Sequence, residues 1–187
     1  FGAKRAGDYH TLQQYGEQYH FIAEQMPAVM FEGERISSTR IRAAVESGNI
    51  VEANSLLGYH YRLRGTVIGG RKLGRTIGFP TLNIAWQPEC MPRFGVYYVR
   101  LRECGKSSAT WQPAIANYGL RPTVAGADSQ PLLESHLLQA TELDQGAELE
   151  VEWLDFIRPE QRFENLDALK SAIARDKSAL MQRLGLK

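Results

Sequence analysis

Residues 147 to 157, AELEVEWLDFI, put Leu149, Val151 and Trp153 on one side of an extended chain and Glu148, Glu150 and Glu152 on the other. A two-residue period sends successive side chains to opposite faces, so this segment reads as a half-buried β-strand. Alternating or β-rich composition recurs over Tyr61 to Ile68, Phe94 to Arg102, Trp111 to Asn117 and Leu132 to Gln139, with Gly and Pro in the gaps. One-sided strands in succession, without helical patterns between them, predict an antiparallel sheet closed into a small barrel. The period then changes. Leu166, Leu169, Ile173, Leu180 and Leu184 fall on one helical stripe, with Asn165 as cap and Gly185 as end, so a terminal amphipathic helix is predicted to lie against the barrel.

Ahead of Tyr59 the pattern is mixed α and β. Short apolar runs at His20 to Met26 and Ala28 to Phe31 flank Pro27, and Glu32-Gly33-Glu34 reads as a turn. In ISSTRIRAAVESG, Ser37 or Ser38 can cap a helix that carries Ile41 and Val45 on one face and stops at Gly48. Asn49 with Glu52 resembles a capping box for a second helix ending at Gly58. The predicted division is therefore an α/β segment over 1–58 and a barrel over 59–187, with no internal repeat.

Across 187 residues, 22 Lys and Arg balance 21 Asp and Glu to a net +1, which leaves no broad cationic field for a long polyanion and disfavours nucleic acid as the main partner. Cys90 and Cys104 stand fourteen positions apart with no C-x-x-C pair, which suits a reducing compartment and a packing role. No apolar stretch approaches the ~20 residues of a membrane helix, and FGAKRAGDYH lacks the apolar segment of a secretory signal. A soluble, cytoplasmic protein acting on small molecules is expected, with no membrane partner and no legible oligomeric state. The start at Phe1 rather than Met is expected of a piece of something longer.

The stretch most informative about chemistry is GTVIGGRKLGRTIGFPTLN, residues 65–83, where Gly65, Gly69, Gly70, Gly74 and Gly78 are interspersed with Arg71, Lys72 and Arg75. Glycines let backbone N–H groups turn toward an anion, and nearby cations neutralise it, as in a phosphate cradle. No acidic residue lies between Glu52 and Glu89, whereas Arg62, Arg64, Arg71, Lys72 and Arg75 are basic, so the local field is positive. A β-hairpin connection uses glycine too, and both readings stay open. The spacing is not that of a P-loop, and no helical pattern follows as a dinucleotide fold requires. Thr81 and Asn83, two apart, point to one side of an extended segment, where their oxygens can reach one Mg²⁺ also held by phosphates and water. The alternative is a loop end closed by local hydrogen bonds.

The order G-x-V-x-x-G-x-x-x-G-R-x-x-G-F-P-T-x-N, then GVY at 95–97, NYGLRPT at 117–123, the Glu134 strand and RPEQRF at 158–163 closely resembles the riboflavin kinase module. FGAKRAGD and ISSTRIR resemble the latter part of the FMN adenylyltransferase module that precedes it in the bacterial bifunctional FAD synthetases, so the resemblance covers nearly the whole chain. It implies a mainly β fold: a six-stranded antiparallel Greek-key barrel with a C-terminal helix, preceded by an α/β remnant of a nucleotidyltransferase domain. The implied reaction moves the γ-phosphate of ATP to the 5′-hydroxyl of riboflavin with Mg²⁺, giving FMN and ADP.

By that resemblance Glu134 is the general base, Thr81 and Asn83 hold Mg·ATP, and Gly70, Lys72, Gly74 and Arg75 cover the nucleotide phosphates. Asn117, Arg121 and Thr123, with Arg158 and Glu160, would border the flavin. Alternation groups Glu134 with Leu132, His136 and Leu138 without deciding which face is catalytic, and an exposed strand glutamate, as expected of Glu148 and Glu150, is the competing reading. Arg158 and Glu160 could instead form a surface ion pair. Gln145 stands where the family often has an aromatic residue before Gly146. Ser37, Ser38, Thr39 and Arg42 match part of an adenylyltransferase phosphate site, against the plainer reading of a Ser-capped helix. That activity also uses an H-x-G-H type motif, which none of His10, His20, His60 or His136 provides, and the four are read as incidental. A competing class is a non-catalytic small barrel that binds flavin or nucleic acid, with Arg62, Arg64 and Arg71 beside Tyr59 and Tyr61.

Overall fold

A computed structural model describes residues 2, 4, 6–70, 73–106, 108–120 and 130–186, with the side chains of Leu73 and Arg75 excepted. By packing, the chain divides into two units, Phe1–Ile36 and Ser37–Lys187.

In the first unit, helix α1 (Tyr9–Tyr19) starts at Asp8, whose carboxylate accepts from the Thr11 N–H at 2.9 Å. The apolar run at His20 to Met26 forms no helix or strand. Strands β1 (Met30–Phe31) and β2 (Glu34–Arg35) pair across Glu32 and Gly33, whose φ values of 53° and 81° are those a two-residue hairpin turn needs at both positions.

The second unit opens with α2 (Ser38–Ser47) and α3 (Ile50–Leu57). The Ser37 hydroxyl accepts from Arg40 N–H at 3.2 Å, and Gly48 at φ 85° ends α2 in the left-handed region. Asn49 accepts from Glu52 N–H at 3.3 Å to start α3. Asn54 of α3 donates to the Trp153 carbonyl at 2.9 Å and accepts from Tyr61 N–H at 2.7 Å, and Ile50 joins the principal core. These ties carry both helices into the barrel's packing unit. The packing division thus falls ahead of them, whereas the sequence pattern changes after them, near Gly58.

Six strands close the barrel: β3 (Arg62–Ile68), β4 (Leu82–Ala85), β5 (Gly95–Glu103), β6 (Gln112–Leu120), β7 (Pro131–Leu137) and β8 (Glu148–Pro159). Around the barrel they run β3-β4-β7-β6-β5-β8, each antiparallel to its neighbours. Strands β5, β6 and β7 are successive neighbours and β8 returns beside β5, which is the Greek-key arrangement. A four-residue helix, α4 (Leu73–Thr76), lies between β3 and β4, and α5 (Leu166–Arg183) follows β8. A small barrel is filled by its own inward side chains. Here Tyr97, Tyr118 and Trp153, all fully buried, form the centre, with Tyr97 and Trp153 rings 4.5 Å apart and Trp86 5.6 Å from Trp153.

The outward side of β8 departs from expectation. Glu150, expected to be exposed, is 2% exposed, because Arg62 and Arg64 of β3 and Arg102 of β5 converge on it at 3.4, 3.3 and 2.6 Å. Glu152 is covered in the same way by Arg100 at 2.6 Å. Hydrogen bonds from Arg102, opposed by burial and reinforced by Arg62 and Arg64, hold the Glu150 carboxyl below its ordinary 4.5. A depressed carboxyl pKa gives stability that is present above the unfolded-state value and lost as pH falls through the folded-state value. Glu150→Gln is therefore expected to unfold about 1–3 kcal/mol more easily at neutral pH. In denaturant titrations that difference should shrink as pH drops below 4.5; a difference independent of pH would show that the carboxylate charge contributes nothing.

Helix α5 starts with Asn165 accepting from Ala168 N–H at 2.8 Å, and Leu180 packs with Val96, Tyr98 and Ile115 on the outside of the barrel. The predicted stripe is displaced at its ends, where Leu166 and Leu184 are 50% and 43% exposed. Its middle contains a buried acid, Asp176, which is held by Arg158 at 2.9 Å.

Candidate active site

Cross-strand register brings residues from separate strands into one row: Ile68 pairs with Asn83, Asn83 with Glu134, Glu134 with Asn117, Asn117 with Val96, and Val96 with Arg158. Directly paired residues of an antiparallel ladder project from the same face. Their chain neighbours Leu82, Ile84, Leu133, Ala116, Tyr118 and Tyr97 belong to the interior core, so Asn83, Glu134, Asn117 and Arg158 stand on the outer face. Glu134 is half-buried there.

Two glycines lie close to the Asn83 end of this row, Gly70 against Asn83 itself and Gly74 against Phe79 and Thr81. A Cβ on Gly70 would collide with Asn83 Nδ2, and one on Gly74 would lie 3.4 Å from Thr81 Oγ1 and collide with the Phe79 carbonyl. Phe79 N–H donates to Gly74 O at 2.8 Å, closing the turn. Asn83 is 7% exposed and its Oδ1 has no hydrogen-bond partner, although buried polar atoms are nearly always paired. A hard cation takes such an oxygen, and Thr81 Oγ1, exposed one residue before β4, offers a second. Among the described residues no group of three or more His, Cys, Asp and Glu is gathered for a metal, so an ion here would rest on these two oxygens with phosphate and water.

At the other end, Asn117 Nδ2 donates to Glu160 at 3.0 Å, and Gly119 leaves room for that carboxylate, which a Cβ would strike. Arg158 is bound to Asp176 through Nη2 and Nε at 2.9 and 3.1 Å and lies 5.8 Å from the centre of the Phe163 ring. Arg158 and Glu160 therefore do not form the surface pair considered from the sequence; each is tied to a different element. Asp176 was missed because an apolar stripe says nothing about an acid inside it.

His136, read as incidental, is also on the outer face of β7. It is 7% exposed, its Nδ1 is 2.8 Å from the Pro80 carbonyl, and its ring meets Phe79 edge-on at 5.2 Å. Burial lowers its pKa, with the Pro80 contact opposing. Alternation with Glu134 was the one signal that could have pointed to it.

Lys72, Arg121 and Thr123 lie outside the described residues, as do Arg71 and the side chain of Arg75. Arg62 and Arg64, counted toward a positive phosphate field, are instead turned to Glu150. Arg62 also lies 5.4 Å over the Tyr59 ring, and Tyr61 donates to the Cys90 carbonyl at 2.9 Å while packing against Trp86 and Trp153. Ser37, Ser38, Thr39 and Arg42 sit at the start of α2, with Ser37 used as the cap and Arg42 exposed, and none joins the row. Gln145 packs its amide against Gly69, 3.2 Å from where a Cβ would stand. It also borders a recess of about 550 Å³ lined by Glu103, Gln112 and Asp144, which contains no member of the row. Among the described residues no helix is long and apolar enough to cross a membrane.

A family model described as "Flavokinase: Riboflavin kinase" matches residues 57–184. The bifunctional riboflavin kinase/FMN adenylyltransferase of Escherichia coli (strain K12) is 42% identical over 186 residues, covering all of this chain and 58% of the relative. That of Listeria monocytogenes is 36% identical over 181 residues, covering 94% of this chain and 54% of the relative. A solved structure described as a macrolide-efflux protein from Streptococcus pneumoniae superposes with a TM-score of 0.78 at 32% identity, covering 95% of this chain and 56% of that one. The chain thus spans a little over half the length of the relatives it matches.

Proposed function

The chain belongs to the riboflavin kinase family, and from that premise we propose that it transfers the γ-phosphate of ATP to the 5′-hydroxyl of riboflavin, producing FMN and ADP. The observation that carries this reading is the row of Asn83, Glu134 and Asn117 on adjacent strands. It puts a carboxylate between a metal-competent amide oxygen and the segment expected to border the flavin. Phosphoryl transfer needs positioning and charge neutralisation more than covalent chemistry from the protein. Glu134 accepts the proton of the ribityl hydroxyl as its oxygen approaches the γ-phosphorus in line with the departing ADP. Thr81 and Asn83 orient the nucleotide end, with Gly70 and Gly74 allowing close approach and Lys72 and Arg75 adding positive charge. A Mg²⁺ ion bound to those oxygens would neutralise phosphate charge. Asn117, Arg121, Thr123, Arg158 and Glu160 border the flavin, Arg158 being held by Asp176.

Residues 1–58 are read as the end of an FMN adenylyltransferase module, with Ser37, Ser38, Thr39 and Arg42 a partial phosphate site. Because none of His10, His20, His60 and His136 lies in an H-x-G-H type motif, residues 1–187 are expected to make no FAD from FMN and ATP by themselves, and pyrophosphate release with FMN would overturn that. A cytoplasmic location and small-molecule partners accord with this reading. The nucleic-acid form of the binding-only alternative has less to rest on, because Arg62 and Arg64 contact Glu150 and the Tyr61 ring packs against Trp86 and Trp153. Product analysis with ATP and Mg²⁺, run with riboflavin and FMN in parallel, separates the readings. FMN from riboflavin alone is expected, while flavin binding without turnover would favour the binding module.

A further inference from the structure

We propose that His136 is a positioning residue for the nucleotide end of the site, acting through the Pro80 carbonyl to fix the next residue, Thr81. This rests on the riboflavin kinase reading and adds to it a role for a residue which that reading leaves unused. The β4–β7 pairing ends at Leu82 with Ser135, so extending that register by one residue would set Thr81 opposite His136. Strand β4 begins only at Leu82, so Pro80 and Thr81 lie outside its ladder. Pro80 has no N–H to offer and its carbonyl can only accept, which requires the proton on His136 Nδ1 across the 2.8 Å contact. The edge-on Phe79 ring fixes the imidazole plane. The other nitrogen, Nε2, is buried without a partner. Burying a ring nitrogen without a partner costs free energy, and the Nδ1 contact with Pro80 and the packing on Phe79 are what hold the ring there against that cost.

The consequence is a mechanical link. Glu134 and His136 are two apart on β7 and share its outer face, so one rigid strand carries the proposed base and the brace of the proposed metal ligand. Small errors in the approach of reacting groups are costly in rate, and a loop that begins outside the ladder is where such errors arise.

The test compares His136→Phe, which fills the space and keeps a ring against Phe79 but cannot donate, with His136→Asn, whose amide nitrogen stands near the position of Nδ1. Mg·ATP binding is measured by calorimetry, and KM for Mg·ATP and for riboflavin by FMN formation. For H136F the Mg·ATP constants are expected to rise about tenfold and the riboflavin KM less than about twofold, with H136N restoring most of the loss. Equal impairment in both variants, a parallel rise of both KM values, or unchanged Mg·ATP binding in folded H136F would overturn the assignment. Should H136F fail to fold, ¹⁵N-histidine NMR of the wild-type chain decides: a neutral ring protonated at Nδ1 and protected from exchange is expected, and an Nε2-protonated tautomer would refute it. A wild-type chain that binds Mg·ATP but forms no FMN would remove the kinase reading, and the calorimetric and NMR readouts would still judge His136.

Discussion

Glu134→Gln is expected to reduce FMN formation by roughly 10²- to 10⁴-fold, the range for loss of a positioned general base. The substitution keeps size and hydrogen-bonding capacity at the centre of the row, between Asn83 and Asn117, and removes only the ability to take a proton. Binding of Mg·ATP and of riboflavin should stay within about threefold of wild type, so that the loss falls on kcat and kcat/KM together. Steady-state rates combined with calorimetric binding check both halves. Near-normal turnover would take Glu134 out of the base role, while a large loss of riboflavin binding would make it a flavin ligand instead.

Asn83→Ala should produce the next largest effect, an increase of about 10- to 100-fold in the Mg·ATP concentration needed for half saturation. It deletes a buried oxygen that has no protein partner, so little folding stability should go with it. Gly70→Ala supplies an independent check because it removes no polar group: its methyl would strike Asn83 Nδ2 and displace the amide. Both variants should shift the nucleotide and Mg²⁺ dependence in the same direction and leave riboflavin affinity nearly unchanged. An unaltered Mg²⁺ requirement in both would refute the metal assignment.

How much of this was legible in the sequence varied with the range of the interaction involved. Five of the barrel strands showed as alternating or β-rich segments, because their own inward side chains set the period. Strand β4, only four residues after a glycine-rich loop, is too short to show one. Helix α1 left no apolar stripe because its single buried residue is Gly16. Alternation in β8 was read correctly for Leu149, Val151 and Trp153, yet Glu150 and Glu152 proved buried, since the arginines covering them come from β3 and β5. The row of Asn83, Glu134, Asn117 and Arg158 is of the same kind. Each residue could be singled out by a local motif or by resemblance, but their side-by-side placement depends on the order β4-β7-β6-β5-β8, which no local pattern encodes. His136 and Asp176 went unread because each acts through a partner distant in sequence, Pro80 and Arg158 respectively.

The most direct test is a crystal structure of this chain with Mg²⁺, a non-hydrolysable ATP analogue and riboflavin bound together. The expected result is a ribityl 5′-hydroxyl within hydrogen-bond distance of the Glu134 carboxylate on the outer face of the barrel, with the ion on Thr81 and Asn83. Riboflavin seated elsewhere, for example in the recess beside Glu103 and Asp144, with Glu134 facing solvent, would contradict it.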